Sequence, residues 1–353
     1  MLRPILARLF AWRRTGGFGR WPSGLKLCCA AMLWMLATGV SAQVLVVLSD
    51  ESAVYQDVAA EIRSGIAAAR EGRTRIDAVA APRLASVDEA TFRAYELVVT
   101  VGVAAAEAAI ARTGATGAPP PILCLLIPRQ SYERLAPARA SGRDRRVSAV
   151  FIDQPVSRQL DLLRLALPDK RRVGMLLGPS SRLLQGELRD KARERGLTMN
   201  AAEVAESSAV YAALQKVLPE SDLLLALPDP VAINAGTVYG LLLTSYRAQI
   251  PVIGFSEGLV KAGALLSLFS TAPQQGRQGA EVASRFLAGE AVLPAPQYPK
   301  YFTVRVNASV ARSLGLRIED ETALAGALAA RGETKVESRG VRTPGVAALP
   351  GGP

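Results

Sequence analysis

Continuous apolar runs of strand length alternate along the chain with stretches of helical periodicity. "QVLVVLS" (43–49) is followed by an amphipathic pattern over 55–70. "RIDAVA" (75–80), "YELVVTVG" (95–102) and "PILCLLI" (121–127) repeat the strand signal, the third running into a helical "VAAAEAAIAR". Unbroken apolar runs, as opposed to strict alternation, mark strands covered on both faces, as in the parallel sheet of an α/β domain.

The pattern then restarts. "VSAVFID" (147–153) precedes a helix that opens on Pro155, and "VGMLLG" (173–178) precedes a long amphipathic helix closed by Gly196. "DLLLAL" (222–227) leads through "PDP" into a helical pattern from about 231 to 247. "PVIGF" (251–255) and "GALLSLFS" (263–270) are further strands, a helix follows over about 273–288, and "YFTVRVN" (301–307) is the last strand. Two runs of β-α repeats, breaking near Asp144 to Asp153, predict two doubly wound, Rossmann-like α/β lobes instead of one very wide sheet. Residues 43–148 are expected to form the first lobe, with 273–290 packing back on it. Residues 149–272 form the second, with 300–320 returning to it.

Charge changes little in this picture once it is located. The formal +11 is concentrated at the ends: residues 1–42 hold six basic residues and no acid, and the stretch from Arg331 adds four basic residues and two acids. The remaining body carries +3, too weak a field for a phosphate backbone, so nucleic acid is not an expected partner. Residues 331–353, rich in Gly, Pro and charge, are expected to be a disordered tail.

Residues 1–42 have the layout of an export signal: a basic start, an apolar run over about 27–37, and Val40-Ser41-Ala42 as a small-residue cleavage site. The apolar run is short for a membrane span, although an uncleaved anchor is the alternative. Removal of this leader takes Cys28, Cys29 and all three tryptophans with it. Only Cys124 then remains, inside an apolar strand, so an internal disulfide is excluded and the thiol reads as a small buried hydrophobe. The chain has no histidine, which removes Ser-His-Asp and Cys-His catalysis and the commonest zinc ligand. No metal, no cofactor and no enzyme activity are expected.

In doubly wound sheets, ligands sit beyond the carboxyl ends of the strands, and two facing lobes make a cleft there. Polar groups just after the strands are therefore the candidates: Ser49, Asp50 and Ser52; Gly102 and Val103; Asp153; Ser180 and Ser181; Asp229; Ser256 and Glu257. Several precede helices, whose backbone N–H groups suit a carboxylate, with Ser180 and Ser181 the clearest. Asp153 and Asp229 suit the opposite end of a zwitterion. Each has a plainer reading: Asp229 between two prolines also stops a strand and caps a helix, Ser180 or Ser181 is also an ordinary N-cap, and Asp50 also suits a solvated loop.

Taken in order, "VVTVGVAAAEAA", "VFIDQPVSRQLDLLRLALPDKRRVGMLLGPSS", "LLLALPDPVAINAGTVYGLLLTSYRAQIPVIGFSEGLVKAGALLSLF", "GRQGAEVASRFLAGE" and "VRVNASVARSLGL" resemble the ABC transporter substrate-binding proteins of the tryptophan/phenylalanine type. These are periplasmic binding proteins with a type I-like fold. The resemblance spans about 43–320 and rests on the order of many weak motifs. It implies a hinged monomer in the periplasm that closes on a small molecule, an amino acid or similar, and delivers it to an ABC permease. A ligand-sensing module acting with a receptor or assembly partner is the first alternative, and an α/β enzyme the more distant one. The resemblance favours ligand contact for Asp229. It places Ser180 and Ser181 on an Asn-Pro-Ser-type loop and Asp153 on a Ser-Asp-type hinge segment. "GVAAA" departs from the hydroxyl-bearing turn common after the third strand, so one hydrogen-bonding edge of the site is absent.

Overall fold

The computed structural model describes residues 42–72, 74–114, 119–136 and 145–333. Residues 1–41 of the leader and all but the first residues of the tail lie outside them. Two sheets share the chain. The first has the order β2-β1-β3-β4-β5 and is parallel throughout, built from β1 (Ala42–Leu48), β2 (Thr74–Ala80), β3 (Leu97–Val101), β4 (Ile122–Ile127) and β5 (Val147–Phe151). The inner strands β3 and β4 and the edge strand β5 are buried at every position, as their unbroken apolar sequences require.

The pleat divides the apolar residues of this sheet between two layers. Val44, Val46 and Leu48 of β1 pack with α1 (Ala53–Ala69), while Leu45 and Val47 face the side that holds α2 (Glu89–Ala94), α3 (Val103–Ala111) and α4 (Arg129–Leu135). Cys124 lies in this second layer, fully buried, and burial pushes its thiol up to about 12, so it is no nucleophile at neutral pH.

β5 corrects the reading of the lobe boundary. It pairs with β4 as the last strand of the first sheet and does not open the second, so the change of lobe falls after Phe151 and not at 148. A continuous apolar strand carries no mark of which sheet it will join; pairing decides that. The chain crosses between sheets at 152–155, enters α5 (Val156–Ala166), and builds a six-stranded sheet of order β11-β10-β9-β8-β6-β7. Its parallel strands are β6 (Arg172–Leu177), β7 (Thr198–Glu203), β8 (Leu223–Leu225), β9 (Val252–Gly254) and β10 (Leu266–Phe269), and β11 (Thr303–Val306) closes the edge antiparallel to β10. Helices α5 and α6 (Gln185–Arg193) cover one face, and α7 (Val210–Val217), α8 (Val238–Arg247) and α9 (Glu257–Ala262) the other.

The helical pattern expected from 231 is also corrected: residues 230–237 form turns and α8 begins at Val238. Asn234 breaks the pattern by accepting the N–H groups of Gly236 and Thr237 on its own side chain, the local competition that makes Asn a turn residue.

After β10 the chain crosses back at 270–271. α10 (Ala272–Leu287), started by a capping box at Thr271, packs along α1 in the first lobe. A third crossing over 288–302 leads to β11, α11 (Ala308–Ser313) and α12 (Glu321–Glu333), whose Leu324 and Leu328 complete the second core. α1 and α10 meet through small residues. A Cβ on Gly276 would lie 2.5 Å from the Glu61 Cβ and 2.9 Å from the Val58 carbonyl oxygen. Gly276→Ala therefore has to push the helices apart and is expected to cost about 2 kcal/mol. Urea denaturation measures it; an unchanged midpoint would show that this contact yields freely.

Candidate functional site

The carboxyl ends of both sheets open on one cavity of about 540 Å³ at the crossings. The first lobe supplies the loop after β4 with the first turns of α4, namely Pro128 to Ser131 and Arg134, and the loop after β5, Ile152 to Gln154. The second supplies the loop after β6 (Ser180, Ser181, Leu184), the corner after β8 (Leu227, Pro228, Pro230), Phe255 and Ser256 after β9, and Leu268 to Ser270 at β10. Tyr298 of the third crossing completes the wall.

The two sides differ in chemistry. The second-lobe side is an apolar wall whose polar atoms are largely engaged within the chain. The Ser181 hydroxyl accepts the Gly178 N–H at 2.9 Å and donates to Asp229 at 3.0 Å. Ser256 caps α9 by accepting the Leu259 N–H. The Ser270 hydroxyl donates to the Tyr301 carbonyl at 2.6 Å and accepts Gln154 Nε2 at 2.9 Å. The first-lobe side carries Arg129, Gln130, Ser131, Arg134 and Asp153, the one carboxylate among the lining residues. Arg129 is held on several sides: its Nε donates to Glu133 at 2.9 Å, and its Nη1 to the Tyr298 hydroxyl at 2.7 Å and to Glu187 of the second lobe at 3.2 Å. Arg134 meets only a distant Glu107, at 4.0 Å, and stays largely exposed. Burial pushes the Asp153 carboxyl above the ordinary aspartate range, against the Arg129 backbone N–H that it accepts at 2.6 Å.

Of the residues singled out after the strands, Asp153, Ser180, Ser181 and Ser256 line this cavity. Asp229 stands just behind its wall, 2 % exposed, and serves as a clamp on the corner. Its Oδ2 accepts the N–H groups of Ser180 and Ser181 and the Ser181 hydroxyl, and its Oδ1 those of Val231 and Ala232, all within 2.8–3.2 Å. Burial alone would raise the Asp229 pKa; those donors outweigh it and hold the carboxyl below the usual range.

Ser49, Asp50, Ser52, Gly102, Val103 and Glu257 do not line the cavity. β1 and β3 stand further from the hinge in the sheet than β4 and β5, so their loops lie along the edge away from it. There Ser49 Oγ accepts the Ala105 N–H at 3.0 Å and Asp50 accepts the Ser52 N–H at 2.8 Å. Gly102 has φ +92°, and a Cβ on it would come within 2.4 Å of Ser49 Oγ; Val103 opens α3 beside it. Glu257 pairs with Lys261 on the surface of α9.

Sequence reasoning passed over Arg129 to Arg134, although "PRQS" directly follows β4 and the same strand-end rule selects it. Ser270 and Tyr298 were also missed. Tyr298 lies in a proline-rich connection with no strand-end signal to mark it.

The fold resembles solved two-lobed proteins. A ligand-free, open substrate binding protein with adhesive properties from Clostridium difficile is 19 % identical with TM-score 0.64, covering 79 % of this chain and 96 % of its own. An ABC domain in complex with L-Trp from Streptococcus pneumonia is 18 % identical with TM-score 0.56, over 79 % and 96 %. A periplasmic ribose ABC transporter protein from Conexibacter woesei is 15 % identical with TM-score 0.51, over 79 % and 97 %. These identities speak to the fold alone. No curated protein matches the sequence. Residues 88–328 match the family described as ABC transporter substrate binding protein, which covers well over half of the chain and agrees with the two hinged sheets and the cavity between them: this chain belongs to that family.

Proposed function

We propose that the protein is an exported, periplasmic, monomeric solute-binding protein that captures an amphipathic small molecule of amino-acid type in the interlobe cavity and presents it to an ABC permease. Lobe closure on the ligand gives the permease a state to recognise. Binding, not catalysis, is the reading for a cavity with no histidine in the chain and its one described cysteine sealed in the core.

The asymmetry of the cavity carries the ligand class. A sugar offers hydroxyls around its whole rim and needs donors and acceptors on both sides. Here the hydroxyls of Ser181, Ser256 and Ser270 already have partners within the chain, Ser180 adds one further hydroxyl, and the rest of that wall is Leu184, Leu227, Leu268, prolines, Phe255 and Phe269. The polar head of a ligand would face Arg134, Ser131, Gln130 and Asp153, and its apolar body the second lobe.

A thermal-shift screen tests this with apolar and aromatic amino acids in one arm and pentoses, hexoses and inositol in the other. A ligand at one hundred times its Kd stabilises by about 2.7 kcal/mol, roughly 5 °C for a folded body of this size. The expected result is a shift for amino acids and none for sugars. A sugar-only shift would overturn the ligand class, and no shift across either arm would count against free-solute capture.

A further inference from the structure

Four glutamines converge on the three crossings between the lobes. On α10, Gln275 Nε2 donates to the Phe151 carbonyl at the first crossing at 3.0 Å. Gln278 spans the third crossing, donating to the Tyr298 carbonyl and accepting the Lys300 N–H at 2.6 Å. Gln274 donates to the Phe302 carbonyl and to Thr303 while accepting the Thr271 N–H of the second crossing. Gln154 lies in the first crossing. Its Nε2 donates to Ser270 in the second, and its Oε1 accepts Arg158 Nη1 at 2.7 Å. That guanidinium also donates to the Pro299 carbonyl of the third crossing and stacks on Phe302.

A carboxamide suits this task physically. It donates and accepts at once and does not titrate, so it ties two chain segments in a fixed geometry at any working pH. Gln154 has a further property: it and its partner Ser270 both line the cavity. We infer that the Gln154–Ser270 link is the positioning element of the hinge, which fixes the angle between the lobes and lets a molecule in the cavity act on that angle. The second half of this inference rests on the binding reading above; the first does not. Orientation supports the link. Arg158 holds the Gln154 oxygen, so its nitrogen must face Ser270, and the Ser270 hydroxyl, donating to the Tyr301 carbonyl, has a lone pair left to receive it.

The test needs no ligand. Spin labels at Glu51→Cys in the first lobe and Arg182→Cys in the second, in the chain with Cys28→Ser and Cys29→Ser, report the interlobe distance distribution by double electron–electron resonance. Cys124 is buried and stays unlabelled. Ser270→Ala is expected to broaden the distribution, Gln154→Leu to broaden it as much or more, and the double variant to add nothing beyond Gln154→Leu. Ser270→Thr, which keeps the hydroxyl, is expected to restore the parent distribution. If Gln154→Leu does not fold, the Ala and Thr variants at Ser270 carry the test. An unchanged distribution in Ser270→Ala, additive broadening in the double variant, or broadening in Ser270→Thr equal to that in Ser270→Ala would each overturn the inference. A protein that fails the ligand screen but broadens here would lose its proposed cargo and keep its hinge.

Discussion

Asp229→Ala is expected to destabilise the protein by about 4 kcal/mol and lower its melting point by roughly 7 °C. The carboxylate is 2 % exposed and accepts four backbone N–H groups and one hydroxyl from the two loops it joins. Removing it strands all five donors. Those of Ser181 and Ala232 are buried, and each buried donor left without an acceptor costs about 1–3 kcal/mol. Ser180 and Val231 are only partly buried, so water entering the vacated space offsets part of the loss there. Asp229→Asn keeps one acceptor and turns an NH2 group toward donors, so it is expected to recover little. Guanidinium denaturation of the three proteins measures this, and an Asn variant equal to the parent would show that the charge is dispensable.

The same geometry sets a pH signature. The Asp229 pKa is lowered in the folded protein, so its stabilisation is fully present above the unfolded value near 4 and is lost as pH falls through the folded value. The stability gap between parent and Asp229→Ala should therefore be constant at neutral pH and shrink only in acid. Asp153 runs the other way. Its pKa is raised by burial, so its contribution is greatest below the unfolded value and declines as pH rises through the folded one.

How much of this was legible follows from which interactions are local. Runs such as "LVVTV" and "ILCLLI" need cover on both faces wherever they lie, so the α/β class and the two lobes follow from the chain alone. The identity of the sheet that β5 joins depends on pairing with β4, twenty residues upstream, and nothing within "VSAVF" states it. The strand-end rule found the Asp229 corner because two prolines and an acid after leucines form a local pattern. It could not show that the carboxylate turns back to the amides of Ser180 and Ser181, nearly fifty residues away, instead of out into the cavity. The loops after β1 and β3 met the same rule as those after β4 and β5; strand order, a tertiary property, sets them apart from the hinge.

Gly178→Ala is expected to cost about 3 kcal/mol through the same clamp, with no polar atom removed. A Cβ at Gly178 would lie 2.1 Å from Asp229 Oδ1 and 2.4 Å from its Cγ, so the methyl and the carboxylate claim one volume. The carboxylate must then leave its five donors, which makes the two substitutions different routes to one loss. In an Asp229→Ala background the methyl enters space already vacated, and Gly178→Ala is expected to add less than about 1 kcal/mol. Unfolding of parent, both single variants and the double variant closes the cycle. Strictly additive costs would mean that Gly178 is intolerant for a reason other than the carboxylate. Strong coupling would tie the glycine to the site as well, because Asp229 holds the amides of Ser180 and Ser181 where both residues reach the cavity wall. Either single variant should then weaken any ligand-induced thermal shift, since the Ser180 loop loses the anchor that sets its place on the wall.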